Sequence, residues 1–294
     1  MYLLLYFITV FIYIKYIIYL QLFKYINYNI LSQMSQITFS SCFYIIKSKF
    51  NAEIYVTWMN QLISIVNNFN LVIYTDDTSS KLIKTNDNPR IKIIIKPIDQ
   101  FYCYQYKKDW IRNHEQNILL NNMSGWELNM LWSEKVHFVF ETMQNNYFDT
   151  EFYGWCDIGY FRNREYDTHT SQLTTWPSDN KLEMLDKTKI HYACVNNNKS
   201  FIKNLCHLIY KRSEIPPNQT SIAGGFFILH KTRVEWWKNT YSTKMEEFFK
   251  NKYLIKDDQI IIANCVFSDL KNFYLHYESN DEYDNWFMFQ RILL

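Results

Sequence analysis

The chain has 294 residues, a hydrophobic content of 48%, and a formal net charge of +2 that results from 31 basic and 29 acidic side chains. This apolar fraction is sufficient for a packed core and excludes an intrinsically disordered chain. Because acidic and basic residues are interspersed, no basic face predicts nucleic-acid binding, and a ligand is to be sought in a pocket.

The first thirty residues are predicted to form a single-pass membrane anchor. Between Tyr2 and Phe23 the only charged residue is Lys15. About a dozen Leu, Ile, Phe and Val residues at roughly −0.3 to −0.6 kcal/mol each outweigh about +3 kcal/mol for this lysine. No small-residue cleavage site follows, which favours a retained helix over a removed signal peptide. The alternative is an apolar extension that packs on a soluble cytoplasmic domain.

The following segments predict a β-α-β unit. Residues 36–46 read as a strand, and residues 52–69 carry apolar side chains at helical spacing. Residues 71–75 are a short apolar run that ends at Asp76, so this acid is expected at the carboxyl end of a second strand. Strands joined in this way by helices are expected to be parallel.

The rest of the chain continues the alternation of strands and helices, with no repeat and no domain boundary after residue 35. We therefore predict one α/β domain over residues 36–294, with a central, mostly parallel sheet flanked by helices. Further strands are predicted at residues 91–95, 151–156, 189–195, 220–229 and 273–277, and further helices at residues 105–120, 127–145, 232–250 and 257–263.

The strongest chemical signal is the segment 155–162, Trp-Cys-Asp-Ile-Gly-Tyr-Phe-Arg. Its Asp157 ends a buried strand, and ligands of open α/β sheets bind outside the carboxyl ends of the strands. A carboxylate there can hold Mg²⁺ or Mn²⁺, which bridges the phosphates of a nucleotide, and Arg162 can pair with phosphate. The alternative is an ordinary strand-ending turn with a surface acid and arginine.

The second candidate segment is Ala-Gly-Gly-Phe-Phe at residues 223–227, which contains two of the five glycines of the chain. Glycine is expected at a positive φ or where the backbone closely approaches another group, and Gly224 and Gly225 would let a sugar ring lie against the strand. Alternatively, the two glycines relieve a bulge or a contact between helix and strand.

Two acids and an amide, Asp257, Asp258 and Gln259, begin a predicted helix. Helix capping explains one acid, while the group also suits the binding of sugar hydroxyls or general base catalysis. His276, in the last strand, is the best histidine for a metal site with Asp157, although a lone strand histidine is more often structural.

The chain lacks the P-loop, the dinucleotide-binding glycine motif, the nucleophile elbow and the zinc-protease helix motif, which disfavours those enzyme classes. In combination and order, its other motifs resemble the HtrL/YibB-like family, glycosyltransferase-like proteins of bacteria and large DNA viruses. The resemblance covers residues 36–290. It rests on Trp58, on Asn-Leu-Val-Ile-Tyr-Thr-Asp at 70–76, on Trp-Ser-Glu-Lys at 132–135, on residues 152–162 and 223–227, on Trp236 and Trp237, and on Asp258 and Gln259.

The resemblance implies a GT-A-like nucleotide-sugar transferase fold. It implies the following places: Asp76 near the base or ribose, Lys135 near the nucleotide, Asp157 on the metal, and Gly224, Gly225, Asp258 and Gln259 around the sugars. The usual metal motif of such folds is Asp-x-Asp, and here Gly159 stands in place of the second acid. Asp157 would then need His276 or Asp257, or the site would use Arg162 and Lys135 instead of a cation.

We therefore expect a glycosyltransferase that moves a sugar from a nucleoside diphosphate donor to a glycan, lipid or protein acceptor, with Mn²⁺ or Mg²⁺ as the expected cofactor. Asp258 is the first candidate for the base that accepts the proton of the acceptor hydroxyl, and Asp257 is the second. The alternative is a non-catalytic, membrane-anchored carbohydrate-binding protein that keeps the fold. Metal-dependent phosphoester hydrolysis would want a denser cluster of acids and histidines.

Overall fold

The computed structural model describes residues 35–196 and 198–294. The predicted membrane anchor over residues 1–30 lies outside these residues. Within the described part, no helix is both long and apolar enough to cross a bilayer. Residues Gln36–Leu294 form one unit.

A seven-stranded sheet in the order β3-β2-β1-β4-β6-β5-β7 forms the centre of this unit. Strand β6 runs antiparallel to both of its neighbours, β4 and β5, whereas the other adjacent pairs are parallel. The predicted α/β domain with a central sheet is therefore confirmed. The strands are β1 (Ile37–Phe43), β2 (Asn70–Thr75), β3 (Ile91–Ile95), β4 (Phe152–Cys156), β5 (Ile190–Cys194), β6 (Ile222–His230) and β7 (Phe273–His276).

Helices cover the sheet on both sides. Alternate residues of β2 show this: Leu71 and Ile73 belong to one buried cluster, while Val72 and Tyr74 belong to the other. Since successive side chains of a strand point to opposite faces, the two clusters lie on the two faces of the sheet. The helices are α1 (Ala52–Ser64), α2 (Lys107–Gln116), α3 (Trp126–Gln144), α4 (Asp179–Glu183), α5 (Lys199–Tyr210), α6 (Lys231–Asn251), α7 (Asp258–Ser268) and α8 (Phe289–Ile292).

The structure changes two expectations about local conformation. The single helix predicted over residues 105–120 is a 3₁₀ turn, Tyr102–Tyr106, followed by α2, which ends at Gln116. None of the five glycines, all of which lie in the described part, has a positive φ. Glycine is used here for close approach, since a Cβ at Gly154 would lie 2.4 Å from the carbonyl oxygen of Phe227 on the adjacent strand.

The topology creates a crevice between β1 and β4. After β1 the chain crosses through α1 to β2 on one side, whereas β4 borders β6 on the other side. The loops that follow β1 and β4 therefore diverge at the adjacent carboxyl ends of these two strands. Open α/β sheets bind their ligands in such a crevice.

Candidate functional site

A cavity of about 550 Å³ opens at the carboxyl ends of β1 and β4. Its walls come from the segments that follow these two strands, from one face of α3, from the start of β6 and from the start of α7. All of the site residues predicted from the sequence except Asp76 and His276 line it: Lys135, Asp157, Arg162, Gly224, Gly225, Asp257, Asp258 and Gln259.

Lys135 joins three of the elements around the cavity. Its Nζ lies 3.0 Å from Oδ1 of Asp157 and 2.9 Å from Oδ2 of Asp258, and it donates a hydrogen bond of 2.8 Å to the carbonyl oxygen of Gly224. The side chain extends from the buried stripe of α3, whose apolar residues pack on the sheet. The lysine thereby fixes β4, β6 and α7 relative to one another.

Asp157 is the more accessible carboxylate of this triad, because its side chain is 33% exposed against 5% for Asp258. The indole Nε1 of Trp155 donates a hydrogen bond of 2.6 Å to the same Oδ1 that contacts Lys135. The Asp157 backbone N–H donates to the carbonyl oxygen of Gly225 at 2.9 Å and so extends the β4–β6 pairing. One carboxylate oxygen is therefore fixed by two donors, while Oδ2 lies nearer Gly225.

Asp258 packs directly on the double glycine. A Cβ at Gly224 would lie 2.7 Å from Oδ2 and 2.9 Å from Oδ1 of Asp258, and a Cβ at Gly225 would lie 3.1 Å from Oδ2 of Asp157. The alternative prediction for these glycines, a close contact between helix and strand, is thus confirmed. The two glycines make room for the two carboxylates.

Burial and charge shift the titration of this triad. Burial raises the pKa of Asp258 to about 7, although the Lys135 ammonium acts in the opposite direction. Burial would lower the pKa of Lys135, but Asp157 and Asp258 more than offset this and hold it above its ordinary value. Lys135 is therefore charged at neutral pH, whereas Asp258 changes between its protonated and ionised forms near neutral pH.

Arg162 lies on another wall of the cavity. Its guanidinium carbon lies 4.4 Å from the centre of the Trp58 ring and 5.2 Å from that of Phe287, and its Nε donates to the carbonyl oxygen of Gly159 at 2.5 Å. These contacts fix the guanidinium by cation–π interactions and leave its terminal nitrogens for other acceptors.

The two remaining residues at the start of α7 also face the cavity. Asp257 is 3.2 Å from the ammonium of Lys256. Gln259 has a buried Oε1 without a hydrogen-bond partner among residues 35–196 and 198–294.

The structure does not bring Asp76 into the cavity. Its Oδ1 accepts a hydrogen bond of 2.6 Å from the N–H of Ser79, and the hydroxyl oxygen of Ser79 accepts one of 2.9 Å from the N–H of Ile45. Asp76 thereby fastens the loop after β2 to the loop after β1, a local turn role that short acids commonly take.

His276 lies far from Asp157. Strand β7 is separated from β4 by β6 and β5, which corresponds to about 14 Å at the usual strand spacing. The Nε2 atom of His276 is 3.0 Å from Nδ1 of His191, and burial lowers the pKa of His276 to about 3. The sequence could not exclude a joint metal site because it does not give the order of the strands.

The residues around Asp157 do not fit a divalent cation. One oxygen of Asp157 and one of Asp258 contact the Lys135 ammonium, so a cation already lies between the two carboxylates. A cation beside it would meet the positive charge of Lys135. In the part of the chain that the structure describes, no group of three or more His, Cys, Asp or Glu side chains could hold a metal ion.

Sequence reasoning missed three charged residues that line the cavity: Lys49, Arg164 and Asp284. Lys49 follows β1 and Arg164 follows β4, so the rule that ligands bind at the carboxyl ends of strands could have found both. Arg164 lies 2.7 Å from Asp284, a contact between loops 120 residues apart that no local pattern reveals.

The family model described as "Bacterial protein of unknown function (HtrL_YibB)" matches residues 45–293. The chain therefore belongs to the HtrL/YibB family, as its motifs predicted. No curated protein matches the chain.

Proposed function

We propose that this protein is a glycosyltransferase that moves a sugar from a nucleoside diphosphate donor to a hydroxyl of a glycan, lipid or protein acceptor. The observation that carries the proposal is the triad of Asp157, Lys135 and Asp258 on the wall of a 550 Å³ cavity at the β1–β4 crevice. The mixed sheet order and the position of the cavity are compatible with a GT-A-like fold.

The proposed reaction is a displacement at the anomeric carbon of the donor sugar. The acceptor oxygen forms a bond to this carbon, and the bond between the carbon and the diphosphate oxygen breaks, so that the diphosphate leaves with the electron pair. Asp258 accepts the proton of the acceptor hydroxyl, because a carboxyl group with a pKa of about 7 suits a general base at neutral pH.

The other members of the triad orient the reactants. Lys135 stays charged and stabilises the ionised form of Asp258. Asp157 is the carboxylate with the larger exposed fraction and can accept hydrogen bonds from sugar hydroxyls. Gln259 lines the same cavity and can hydrogen-bond the ligand through its amide.

The test begins with a thermal-shift screen of UDP-, GDP- and CDP-sugars, followed by turnover of those that bind. For Asp258→Asn, we expect turnover to fall by about 10²-fold or more with the donor still bound, because the proton acceptor is removed. Asp149→Asn, which alters an exposed acid 3.9 Å from Lys231, is the matched control and should keep full activity. Full activity of Asp258→Asn would refute its role as the base.

The pH dependence provides a second test of Asp258. Only the ionised carboxylate can accept a proton, so turnover should rise with pH up to about 7 and level off above it. Below that value we expect about a tenfold loss per pH unit. Initial rates between pH 5 and 9 measure this profile, and a rate that falls on going from pH 6 to pH 8 would contradict the assignment.

A carbohydrate-binding protein without transfer activity is the second candidate. It is favoured by the absence of a second acid at Gly159 and by the aromatic side chains that line the cavity, among them Phe50, Trp132 and Trp286. Sugars that shift the melting temperature while no donor is hydrolysed or transferred would support this candidate over the first.

A further inference from the structure

We propose that Lys49 and Arg162 bind the diphosphate of the donor directly, without a divalent cation. This inference rests on the proposed function for the identity of the ligand, but it concerns a distinct property of the cavity, which is the binding of a diphosphate anion. The other cationic side chains at the cavity are already paired with carboxylates.

Lys135 is already paired with negative charge. Its ammonium lies within 3.0 Å of the Asp157 and Asp258 carboxylates and donates a hydrogen bond to the carbonyl oxygen of Gly224. Because two carboxylates balance its charge, this lysine attracts a phosphate less strongly than an unpaired cation does.

Two other cations near the cavity are also paired. Arg164 lies 3.0 Å from Asp167 and 2.7 Å from Asp284, and Lys256 lies 3.2 Å from Asp257. Their positive charges are balanced by neighbouring carboxylates, so they attract an anion less strongly than an unpaired cation does.

Lys49 and Arg162 differ from these residues, because neither forms an ion pair with a carboxylate within residues 35–196 and 198–294. Each is instead positioned by aromatic rings. The Nζ of Lys49 lies 4.9 Å from the centre of the Trp132 ring, and Arg162 lies over Trp58 and Phe287. Both side chains line the cavity. Cations that are positioned but unpaired are suited to bind a phosphate anion, with arginine able to do so through two parallel hydrogen bonds.

The two cations are connected along one wall. Phe50, the residue after Lys49, has its ring centre 5.1 Å from that of Trp58, and Trp58 carries Arg162. Desolvation lowers the pKa of Lys49, and the neighbouring Lys256 and Lys135 act in the same direction, whereas the Asp257 and Asp258 carboxylates act in the opposite direction. A bound anion next to Lys49 would add to the effect of these carboxylates and favour the charged ammonium.

Gly159 links this arrangement to the missing metal motif. A Cβ at this position would lie 2.7 Å from Cε3 of Trp58. A second acid therefore does not fit beneath the ring that supports Arg162. Glycine at position 159 lacks the carboxylate of the usual metal motif. Its small size leaves room for the Trp58 ring, which contacts the Arg162 guanidinium.

The test measures binding of inorganic pyrophosphate to the full chain by isothermal titration calorimetry in the presence of EDTA. We expect binding under these conditions, and we expect Lys49→Met and Arg162→Met each to weaken it by about tenfold or more, the usual effect of losing a charge-assisted hydrogen bond. Lys47→Met, in the same loop, and Arg112→Met, whose guanidinium pairs with Asp109 at 2.7 Å, are the matched controls and should change the affinity by less than about twofold. Arg162→Lys, which keeps the charge, should retain more affinity than Arg162→Met.

Three results would overturn the inference: no binding of pyrophosphate in EDTA, binding that appears only after Mg²⁺ or Mn²⁺ is added, or unchanged affinity in both methionine variants when thermal unfolding shows that they are folded. The readout is independent of sugar transfer. If pyrophosphate binds through Lys49 and Arg162 while no sugar donor is turned over, the proposed function fails and the diphosphate site stands.

Discussion

At the scale of single residues, Gly224 determines how closely the start of α7 approaches β6. The Asp258 carboxylate lies where a Cβ of residue 224 would be, with both oxygens within 2.9 Å of that position. Asp258 can contact Lys135 at 2.9 Å only because this space is empty. The glycine is thus a condition for the triad itself.

Gly224→Ala should therefore displace Asp258 and lower turnover strongly. We expect a loss of stability of about 1–3 kcal/mol from the overpacked contact, together with a loss of activity that Gly225→Ala does not match. In Gly225→Ala the new Cβ would lie 3.1 Å from a single oxygen of Asp157, which is partly exposed and can move. Thermal unfolding and turnover of both variants measure this, and equal activities would show that the contact does not position Asp258.

At the scale of elements, three asparagines hold the segment immediately before α7. Asn113 of α2 accepts a hydrogen bond of 2.8 Å from the N–H of Ile255 and donates one of 2.8 Å to its carbonyl oxygen. Asn129 of α3 also donates to this carbonyl at 2.7 Å, and Asn117 donates to the carbonyl oxygen of Lys256 at 3.0 Å. Helices α2 and α3 thereby fix the backbone that presents Asp257 and Asp258.

Asn113→Ala tests whether this anchoring positions the site. The substitution leaves the buried N–H of Ile255 without its acceptor, so we expect a loss of about 1–3 kcal/mol in the free energy of unfolding. We also expect a lower kcat and a shifted pH–rate profile, because Asp258 loses its fixed position. Denaturant unfolding and initial rates against pH provide the measurements.

The matched control is Asn88→Ala in the loop before β3. Asn88 makes the same two types of bond, since it donates to the carbonyl oxygen of Val66 at 2.8 Å and accepts from the N–H of Arg90 at 2.9 Å. It should lose stability and keep the pH–rate profile. An unchanged profile in Asn113→Ala would reduce this asparagine to a purely structural role.

At the scale of the whole molecule, the sequence predicts the strands better than their arrangement. Buried central strands are continuous apolar runs, which is why β2 and β4 and the acids that follow them could be located. The order of the strands depends on long-range packing, so the sequence could not show that β7 lies three strands from Asp157.

The same limit applies to the candidate site. Asp157 could be predicted from its place after β4, but its contact with Lys135 depends on how α3 crosses the sheet. The contact between Lys135 and Asp258 joins residues 123 positions apart (258 − 135) and has no local signal. Asp76 follows a strand as expected, but its carboxylate accepts a local hydrogen bond from the N–H of Ser79 and does not reach the cavity.

The expected membrane anchor precedes the folded unit in the sequence. The unit that begins at Gln36 contains the sheet and the residues of the candidate site described above. The segment from Tyr2 to Phe23 has Lys15 as its only charge and is expected to insert into a bilayer.

We therefore expect the full chain to sediment with membranes and to resist extraction by high salt. A chain that begins at Gln36 should stay in the supernatant with the same melting temperature and pyrophosphate affinity. Replacing Ile12 by Lys in the full chain adds a second charge at a cost of about 3 kcal/mol to insertion and should release part of the protein. Recovery of the unaltered full chain in the supernatant would instead favour the alternative, an apolar segment that packs on protein.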